Sequence, residues 1–555
     1  PATGFVSQPE PRTIGHFARG RQLVAGNFLF SGVLVEAKNA VIWDIAKDND
    51  VVAEELQGCA WLDDLAAVGD AKARACAQAW VAQWIVRFGN GRGLGWTPDL
   101  VGRRLIRWIQ HGFFLLRGLE KDESQAFYRS LAQQTIFLSR RWHTSAQGLP
   151  RFEALTGMIY AGLSLQGMEQ HVAPAVKALA RDCTREIDDT GGIPTRNPEE
   201  LLEVLTLLTW TTAALTESGH QPPAAIATAI ARITPTLRAL RHADGGLARF
   251  HGGGRGLIGR LDHALAAAGD KTRPSEMLYM GYARLSGGRT SIDAATTPTG
   301  PASVNAHAST LALEVTSGRR PLIVNCGSGR TFGEDWRRAG RATPSHSTLC
   351  IEGYSSSRLG TQSRVVTSRQ ELLDDVPGFV QAEFSTLHDG KRIELSHDGY
   401  RRTHGLTHAR TLDLAMDGRG MVGDDVLTTL TDIDKQRFER ALDETALQGV
   451  PYALKFHLHP DVDATLDMGG AAVSMALKSG EIWILRHDGH AELSLQPSVY
   501  LENGRLKPRP SQQVVLSGRT MAYATRVRWS LAKAQGTPEG VRDLVTDDPM
   551  DPTDD

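Results

Sequence analysis

Residues 305–327, NAHASTLALEVTSGRRPLIVNCG, decide how the second half of the chain is interpreted. Leu311 and Leu313 alternate with smaller or charged residues, SGRR supplies a turn, and the run PLIVN that follows is apolar. A period of two interrupted by a glycine-containing turn is typical of a β-hairpin. His307 precedes the first strand and Asn325 ends the second. Two polar side chains therefore stand at the open end of the predicted hairpin.

The chain before this hairpin has a different period. Between roughly residues 70 and 290, apolar residues recur at helical spacing in segments separated by short Gly-, Pro- or Asn-containing loops. These segments are 71–88, 98–116, 123–142, 149–165, 198–215 and 223–240. Helices followed by strands predict an α-domain joined to a β-domain, not an alternating α/β fold. The serial helices favour an array of helical hairpins, and the long strands favour an antiparallel β-sandwich.

A change in composition marks the boundary between the two parts. The segment 286–303, SGGRTSIDAATTPTGPAS, is rich in Gly, Ser, Thr and Pro. We predict a helical-hairpin domain over residues 1–295, which includes a short N-terminal segment, and a β-sandwich over residues 296–535. Residues 536–555 end in TDDPMDPTDD and are predicted to be a disordered acidic tail.

The overall composition excludes several classes of protein. In the 555 residues, 61 Lys and Arg nearly balance 63 Asp and Glu, which argues against a nucleic-acid-binding protein. Five scattered cysteines without a CxxC pair argue against a disulfide framework and a cysteine zinc cluster. No apolar run reaches the ~18–20 residues of a membrane helix, so we expect no membrane insertion.

The location and the oligomeric state are less constrained. The N-terminal residues contain no signal-peptide core, but they also lack an initiating Met. A cytoplasmic and a periplasmic location therefore both remain open. The sequence does not fix the oligomeric state, and a homodimer is one option.

A third polar residue belongs with the two at the hairpin. His346, in RATPSHSTLC, again precedes a predicted strand. We expect neighbouring antiparallel strands to bring His307, Asn325 and His346 together. Two imidazoles and an oxygen are a reasonable ligand set for zinc with water as the fourth ligand, although an amide is a poorer ligand than a carboxylate. The alternative is that all three satisfy backbone groups at strand ends.

These motifs and the domain order resemble the heparinase II/III-like polysaccharide lyases, from FLFSGVLVE to VRWSLA. That family joins an (α/α) toroid to a β-sandwich. Its sandwich carries two histidines one residue apart, a strand–turn–strand ending in VD.G, and a later R.TAAHNT segment. NAHAST, LIVNCG and RATPSHSTL take those places here. The resemblance implies metal positions at His307, Asn325 and His346, with Asn325 replacing an aspartate, and Asn305 in place of a catalytic histidine.

The helical domain has a matching segment. DDTGGIPTRNPEELLEVL (188–205) resembles the toroid segment in which an asparagine meets the substrate carboxylate. This implies a catalytic role for Asn197, with Arg196 beside it. A lyase removes the C5 proton of a uronic acid, and quenching the carboxylate charge stabilises the developing enolate. Asn197 followed by Pro198 and Glu200 also predicts a helix N-cap and a capping box, a role compatible with catalysis.

The proton-transfer groups are less clear from the sequence. In HADGGLARFHGGG (242–254), His251 stands where a comparable family segment leads to a catalytic tyrosine, and a histidine can transfer protons near neutral pH. SHDGYRRTHGLTHART (396–411) resembles the family's HDGY…H.R segment. This implies Tyr400 as a substitute acid or base. It also implies substrate-binding residues, namely His397, His408 and Arg410. The alternatives are a loop histidine and a polar face of the sandwich.

We therefore predict a carbon–oxygen lyase that cleaves an acidic, uronic-acid-containing polysaccharide or oligosaccharide by β-elimination, in a cleft between toroid and sandwich. One rival is a glycoside hydrolase that uses two carboxylates among Glu199, Glu200 and Asp244. The other is a non-catalytic glycan-binding protein, which the change to Asn305 and the absent tyrosine favour.

Overall fold

The computed structural model describes residues 3–299, 303–362, 371–538 and 540–545. Helices come first and form the N-terminal domain. In chain order, α1 to α12 are Phe17–Ala25, Asp50–Gln57, Trp61–Val68, Ala71–Phe88, Pro98–Gln110, Gly112–Leu116, Lys121–Arg141, Leu149–Ser164, Val172–Glu186, Pro198–Glu217, Ala224–Leu240 and Arg260–Ala268. A short hairpin of β1 (Asn27–Phe30) and β2 (Val33–Glu36) lies between α1 and α2. Within the described ranges, no helix combines the length and apolar character needed to cross a membrane.

Helix α8 is the centre of the helical domain. It is buried without interruption from Phe152 to Ser164, because α5, α7, α9 and α10 pack around it. A helix that is apolar on all sides is typical of such a central position. The indoles of Trp61, Trp84 and Trp108 fill the core between the first helices. The predicted serial helices are thus confirmed as one packed domain.

The strands form two large antiparallel sheets. In chain order, β3 to β20 are Tyr282–Gly287, Thr290–Ala295, Leu313–Ser317, Arg320–Val324, Leu349–Ile351, Arg358–Gln362, Glu371–Asp374, Val380–Leu387, Gly390–Tyr400, Leu406–Ala415, Gly420–Thr428, Val450–Leu458, Asp463–Asp467, Ala472–Ala476, Ile482–His487, Glu492–Tyr500, Arg509–Thr520 and Ala524–Lys533. The first sheet has the order β18-β19-β14-β6-β5-β4-β3, with β7 also pairing with β14. The second has the order β10-β11-β12-β13-β20-β17-β16-β15. Both sheets contribute to one apolar core, which is the arrangement of a sandwich.

Three helices and a small hairpin decorate the sandwich. They are α13 (Glu334–Arg341), α14 (Arg401–His404), α15 (Asp432–Glu444) and the pair β8–β9. Strands β3 and β4 precede the predicted boundary at residue 295 and pair within the first sheet, so sheet structure begins earlier than the composition indicated. In the predicted tail, residues 541–545 contact the sandwich. Residue 539 and residues 546–555 lie outside the described ranges.

The first sheet adjoins the helical domain along β3 and β4. Tyr282 of β3 lies with its ring centroid 4.9 Å from that of Phe250, which belongs to the loop after α11. The core of the helical domain also includes Ala295 and Ala312 from the sheet side. This continuous packing holds the toroid loop that carries His251 against the open end of the β5–β6 hairpin.

Candidate functional site

Asn197 is the N-cap of α10, as predicted. Its Oδ1 accepts hydrogen bonds from the backbone N–H groups of Glu199 (3.0 Å) and Glu200 (3.3 Å), and Pro198 occupies the first helical position. The predicted capping box does not form, because the Glu200 carboxylate accepts a bond from the Thr195 hydroxyl (2.7 Å) instead. The cap leaves the amide Nδ2 available to another partner.

That partner is the loop that carries His251. Asn197 Nδ2 donates to the His251 carbonyl oxygen (3.3 Å). His251 has a positive φ of 50°, and the glycines after it let the backbone come close. A Cβ on Gly253 would lie 2.2 Å from Asn197 Oδ1, and a Cβ on Gly252 would lie 3.5 Å from Asn305 Cβ. Gly253 is therefore required by its close approach to Asn197, and Gly252 is favoured by its positive φ of 84°.

His251 also bonds to the sandwich. Its Nδ1 accepts the backbone N–H of His307 at 3.0 Å. The His307 Nδ1 in turn lies 3.1 Å from His346 Nε2, and His346 Nδ1 lies 2.8 Å from the Ala342 carbonyl oxygen. A carbonyl can only accept, so His346 carries its proton on Nδ1 and accepts from His307 Nδ1–H. In this arrangement His307 Nε2 keeps its lone pair.

The three imidazoles are neutral at physiological pH. Burial, followed by the proximity of His346, lowers the pKa of His251 to about 3. Burial also lowers the pKa of His346 to about 4, and it places the pKa of His307 well below its ordinary value. Each of the three residues is at most 6% exposed, so the group is buried at the junction of the two domains.

Two arginines of α13 hold the segment that carries Asn305 and His307. Arg337 Nη2 donates to the Val304 carbonyl oxygen (2.7 Å), and Arg341 Nε donates to the Ala306 carbonyl oxygen (2.8 Å). Both guanidinium groups are buried. The sequence analysis did not single them out, although two arginines four residues apart lie on one face of a helix.

Asn325 closes the group on the sandwich side. Its Oδ1 accepts the Ser347 backbone N–H at 2.8 Å, and its Nδ2 donates to the Leu313 carbonyl oxygen at 3.3 Å. The expected convergence of His307, Asn325 and His346 at one place is therefore present. Asn325, however, uses both ends of its amide on the backbone, which is the strand-end alternative.

These residues do not fit a divalent cation. The set of His307, His346 and Asn325 contains no anionic ligand, and the two imidazoles bond directly to each other. The guanidinium groups of Arg337 and Arg341 lie close enough to depress the pKa of His307 further. A buried dication here would gain no compensating negative charge and would be repelled by the arginines.

A different triad could offer metal ligands. His242, Asp293 and Glu314 place one ligand atom each within 4.8 Å of the others. Arg284 already donates to both carboxylate oxygens of Asp293 (2.6 and 2.7 Å), and the backbone N–H of Arg249 donates to Glu314. Burial raises the pKa of Glu314 to about 7, which weakens it as an anionic ligand near neutral pH.

The second predicted cluster lies inside the sandwich, away from solvent. His397 Nε2 lies 3.3 Å from His408 Nδ1, and His408 and Arg410 both bond to Asp425 at 2.7 Å. All four side chains are at most 1% exposed. In this structure they contact no surface that a glycan could occupy. Arg410 Nη1 donates to the Leu311 and Ser347 carbonyl oxygens. Because Ser347 follows His346, the network stabilises the backbone of the candidate site from the core side.

Tyr400, which the sequence suggested as a substitute acid or base, is buried in the sandwich core, whereas Tyr282 contacts Arg196, the residue before Asn197. The Tyr400 hydroxyl donates to the Leu349 carbonyl oxygen (3.2 Å), and the ring is fully buried in the sandwich core. Tyr282 lies at the domain junction, where its hydroxyl donates to the Arg196 carbonyl oxygen. Arg196 has a positive φ of 50°, and its Nε donates to the Pro298 carbonyl oxygen (2.9 Å). No motif in the sequence points to Tyr282.

Solved structures that are similar to this chain share its fold at low sequence identity. Heparinase III superposes with a TM-score of 0.72 and 13% identity, covering 96% of this chain and 88% of its own. A mutant of the heparan sulfate lyase HepC from Pedobacter heparinus gives a TM-score of 0.60 and 12% identity, covering 94% of this chain and 83% of its own. The predicted toroid-plus-sandwich fold is confirmed.

Sequence comparisons place the chain in a family. The FtsZ-localized protein C of Caulobacter vibrioides is 30% identical over 554 residues, which cover 96% of this chain and 91% of that protein. The family described as Heparinase II/III-like, C-terminal, matches residues 269–530, which span the sandwich and the segment that leads into it. The chain belongs to the heparinase II/III-like family.

Proposed function

We propose that this protein is a polysaccharide lyase that cleaves a uronic-acid-containing glycan by β-elimination at the junction of toroid and sandwich. The observation that carries the proposal is the bond between His251 Nδ1 and the His307 N–H, which joins the two domains beside Asn197. A cap residue, a loop histidine and a strand-end histidine, far apart in sequence, thereby form one group.

The chemistry assigns a different task to each side chain. Asn197 Nδ2 and the guanidinium of Arg196 would neutralise the substrate carboxylate, which makes the C5 proton removable. The lone pair on His307 Nε2 would accept that proton, with His346 fixing the tautomer. Burial makes these imidazoles weak bases, and a bound uronate anion would raise their pKa by attraction.

The buried residues of the second cluster support the site and do not contact substrate in this proposal. Arg410 holds the carbonyl oxygen of Ser347, the residue that follows His346. His397, His408 and Tyr400 complete the packing behind it. The zinc of the sequence-based expectation has no part in the reaction, since the residues at 307, 325 and 346 do not fit it.

The decisive measurement is ultraviolet absorbance during incubation with a panel of uronate polysaccharides, because elimination leaves a conjugated C4–C5 double bond. His307→Ala removes the proposed base and is expected to lower the initial rate at least ~100-fold. His251→Ala removes the acceptor of the His307 N–H and is expected to lower the rate as well. His263→Ala, an exposed histidine on α12, is the matched control and is expected to retain the rate.

Asn197→Asp separates capping from catalysis. Aspartate keeps the acceptor oxygens that cap α10, but it lacks the Nδ2 donor and repels a uronate. This variant is expected to melt like the wild type and to lose elimination. New reducing ends without absorbance would contradict the lyase and indicate hydrolysis.

A second candidate function is non-catalytic assembly with FtsZ, in line with the name of the relative from Caulobacter vibrioides. Three observations favour it. Asn305 stands at the position of the family's catalytic histidine, the segment HADGGLARFHGGG contains no tyrosine, and the histidines of the candidate site are buried. Co-sedimentation with FtsZ polymers tests this function. His251→Ala should co-sediment like the wild type if assembly, and not catalysis, is the function.

A further inference from the structure

A groove lies at the end of the first sheet opposite the candidate site. Asn325 follows the last residue of β6, whereas the groove is formed by the β3–β4 and β5–β6 turns at the other end of these strands. A five-residue strand separates the two ends by roughly 17 Å. The groove has a volume of about 640 Å³. It is therefore separate from the Asn197–His251 group.

The groove is rich in guanidinium groups. It is lined by Arg241, Arg284, Arg289 and Arg319, and Asp543 is the single carboxylate among its described lining residues. Arg241 is paired with Asp262 (3.1 Å) and Arg284 with Asp293 (2.6 Å).

Each of these two guanidinium groups also donates to a backbone carbonyl oxygen, Arg241 to that of His242 and Arg284 to that of Arg241. A guanidinium has five N–H donors, and a single carboxylate does not use all of them. The bond from Arg289 goes to a backbone carbonyl oxygen, of Val541 (2.9 Å), which carries no full charge. Positive charge thus exceeds negative charge among the groups that line the groove.

A carboxylate already occupies one end of this groove. Asp543 is bound by Arg319 Nε at 2.9 Å and by Arg320 through Nε at 2.6 Å and Nη2 at 2.9 Å. Its side chain is 5% exposed. Fork-like contacts of this kind match the geometry of a carboxylate. The C-terminal segment 541–545 therefore behaves as an internal acidic ligand.

We propose that the arginine groove is a binding site for an acidic oligosaccharide, recognised through its carboxylates, and that Asp543 occupies one end of that site. Arg289 is the main contact, and the hydroxyls of Ser286 and Ser291 are placed for sugar hydroxyls. The ligand class rests on the proposed function, whereas the groove itself rests on the arginines and on the bound Asp543. Release of the segment would break the bonds of Asp543 with Arg319 and Arg320.

Isothermal titration calorimetry of the full chain with hexagalacturonate tests this site. Arg289→Ala is expected to weaken binding about tenfold, the value of one charge-assisted hydrogen bond. Asp543→Ala is expected to strengthen binding, because it removes the competing carboxylate. Arg129→Ala, an exposed arginine on α7, is the matched control and should bind like the wild type.

The outcomes distinguish this site from the lyase site. If both proposals hold, His251→Ala should keep the binding of hexagalacturonate that depends on Arg289 while losing elimination. Absence of binding to both the wild type and Asp543→Ala would overturn the groove proposal, as would equal affinities of Arg289→Ala and the wild type. Thermal melting of each variant confirms that the compared proteins are folded.

Discussion

The Nδ1 atom of His307 lies 3.1 Å from the Nε2 atom of His346, and the second nitrogen of His346 bonds to the Ala342 carbonyl oxygen. A hydrogen bond between two neutral imidazoles thus stands where the heparinase II/III-like resemblance implied a metal. Asn325, the third member, is bound to the backbone on both sides. Because Asn325 is an amide and not an aspartate, it bonds to the backbone and supplies no anionic metal ligand.

The hydrogen bonds of His307, His346 and Asn325 predict that the protein binds little zinc at this position. We expect the purified protein to contain substoichiometric zinc by inductively coupled plasma mass spectrometry. Asn325→Asp should increase zinc uptake, because it supplies the missing anionic ligand. Asn503→Asp, at an exposed position, is the matched control and should leave the zinc content unchanged. One zinc per wild-type chain would contradict the assignment.

Gly253 is expected to tolerate no side chain. A Cβ there would lie 2.2 Å from Asn197 Oδ1, so Gly253→Ala must displace either the cap of α10 or the His251 loop. The cost is expected to be about 1–3 kcal/mol in the free energy of unfolding, measured with urea. Gly4→Ala is the control, since a Cβ at Gly4 meets nothing within 4 Å. Equal stability of the two variants would show that the loop can move freely.

Among the carboxylates of the sandwich, Asp425 is expected to lower the free energy of unfolding most when it is replaced by alanine. It accepts bonds from His408, Arg410 and the Trp529 indole N–H, all in the core. Asp425→Ala would leave Arg410 buried without its counter-ion and should cost about 3–5 kcal/mol in the free energy of unfolding.

Its sequence neighbour supplies the control for that experiment. Asp424 lies on the same strand and pairs with Arg526, whose side chain is 58% exposed. Asp424→Ala should cost less than about 1 kcal/mol. Similar unfolding free energies for the two variants would mean that the buried network contributes little.

Stability is expected to fall on acidification through buried histidines. Burial lowers the pKa of His404 to about 4, below the ordinary value of 6.5. Below pH 6.5 the unfolded chain therefore binds a proton that the folded chain resists, and stability is lost as the pH falls from 6.5 towards 4. Between pH 7 and pH 5, the wild type should lose about 2 kcal/mol more than His404→Gln.

Some buried carboxyl groups change the stability in the opposite direction, but their contributions cancel when the wild type is compared with His404→Gln. Burial raises the pKa of Glu153 and of Glu314 to about 7, so their contribution to stability decreases as the pH rises from 4.5 to 7. Both groups are present in each protein. Urea denaturation at the two pH values gives the difference, and an identical pH dependence would exclude a role for His404.

Much of the architecture was predictable from local patterns. Helical spacing before residue 290 and alternation after it are set by which face each element must bury. The Asn197 cap and the polar ends of the β5–β6 hairpin were also predictable, because turn and cap chemistry involves neighbouring residues. Strand β4 was not predicted, because residues 286–303 have a composition that is typical of a linker.

The order of helices and strands, the resemblance to a family, and the residue types available for chemistry follow from local sequence patterns. Which of these residues meet depends on how the two domains pack. Asn197, His251 and His307 form one group because the packing of toroid against sandwich brings distant loops together. Tyr400, His397, His408 and Arg410 face the core instead, because in a sandwich the inward side of a strand is chosen by pairing with partners that a linear pattern does not contain.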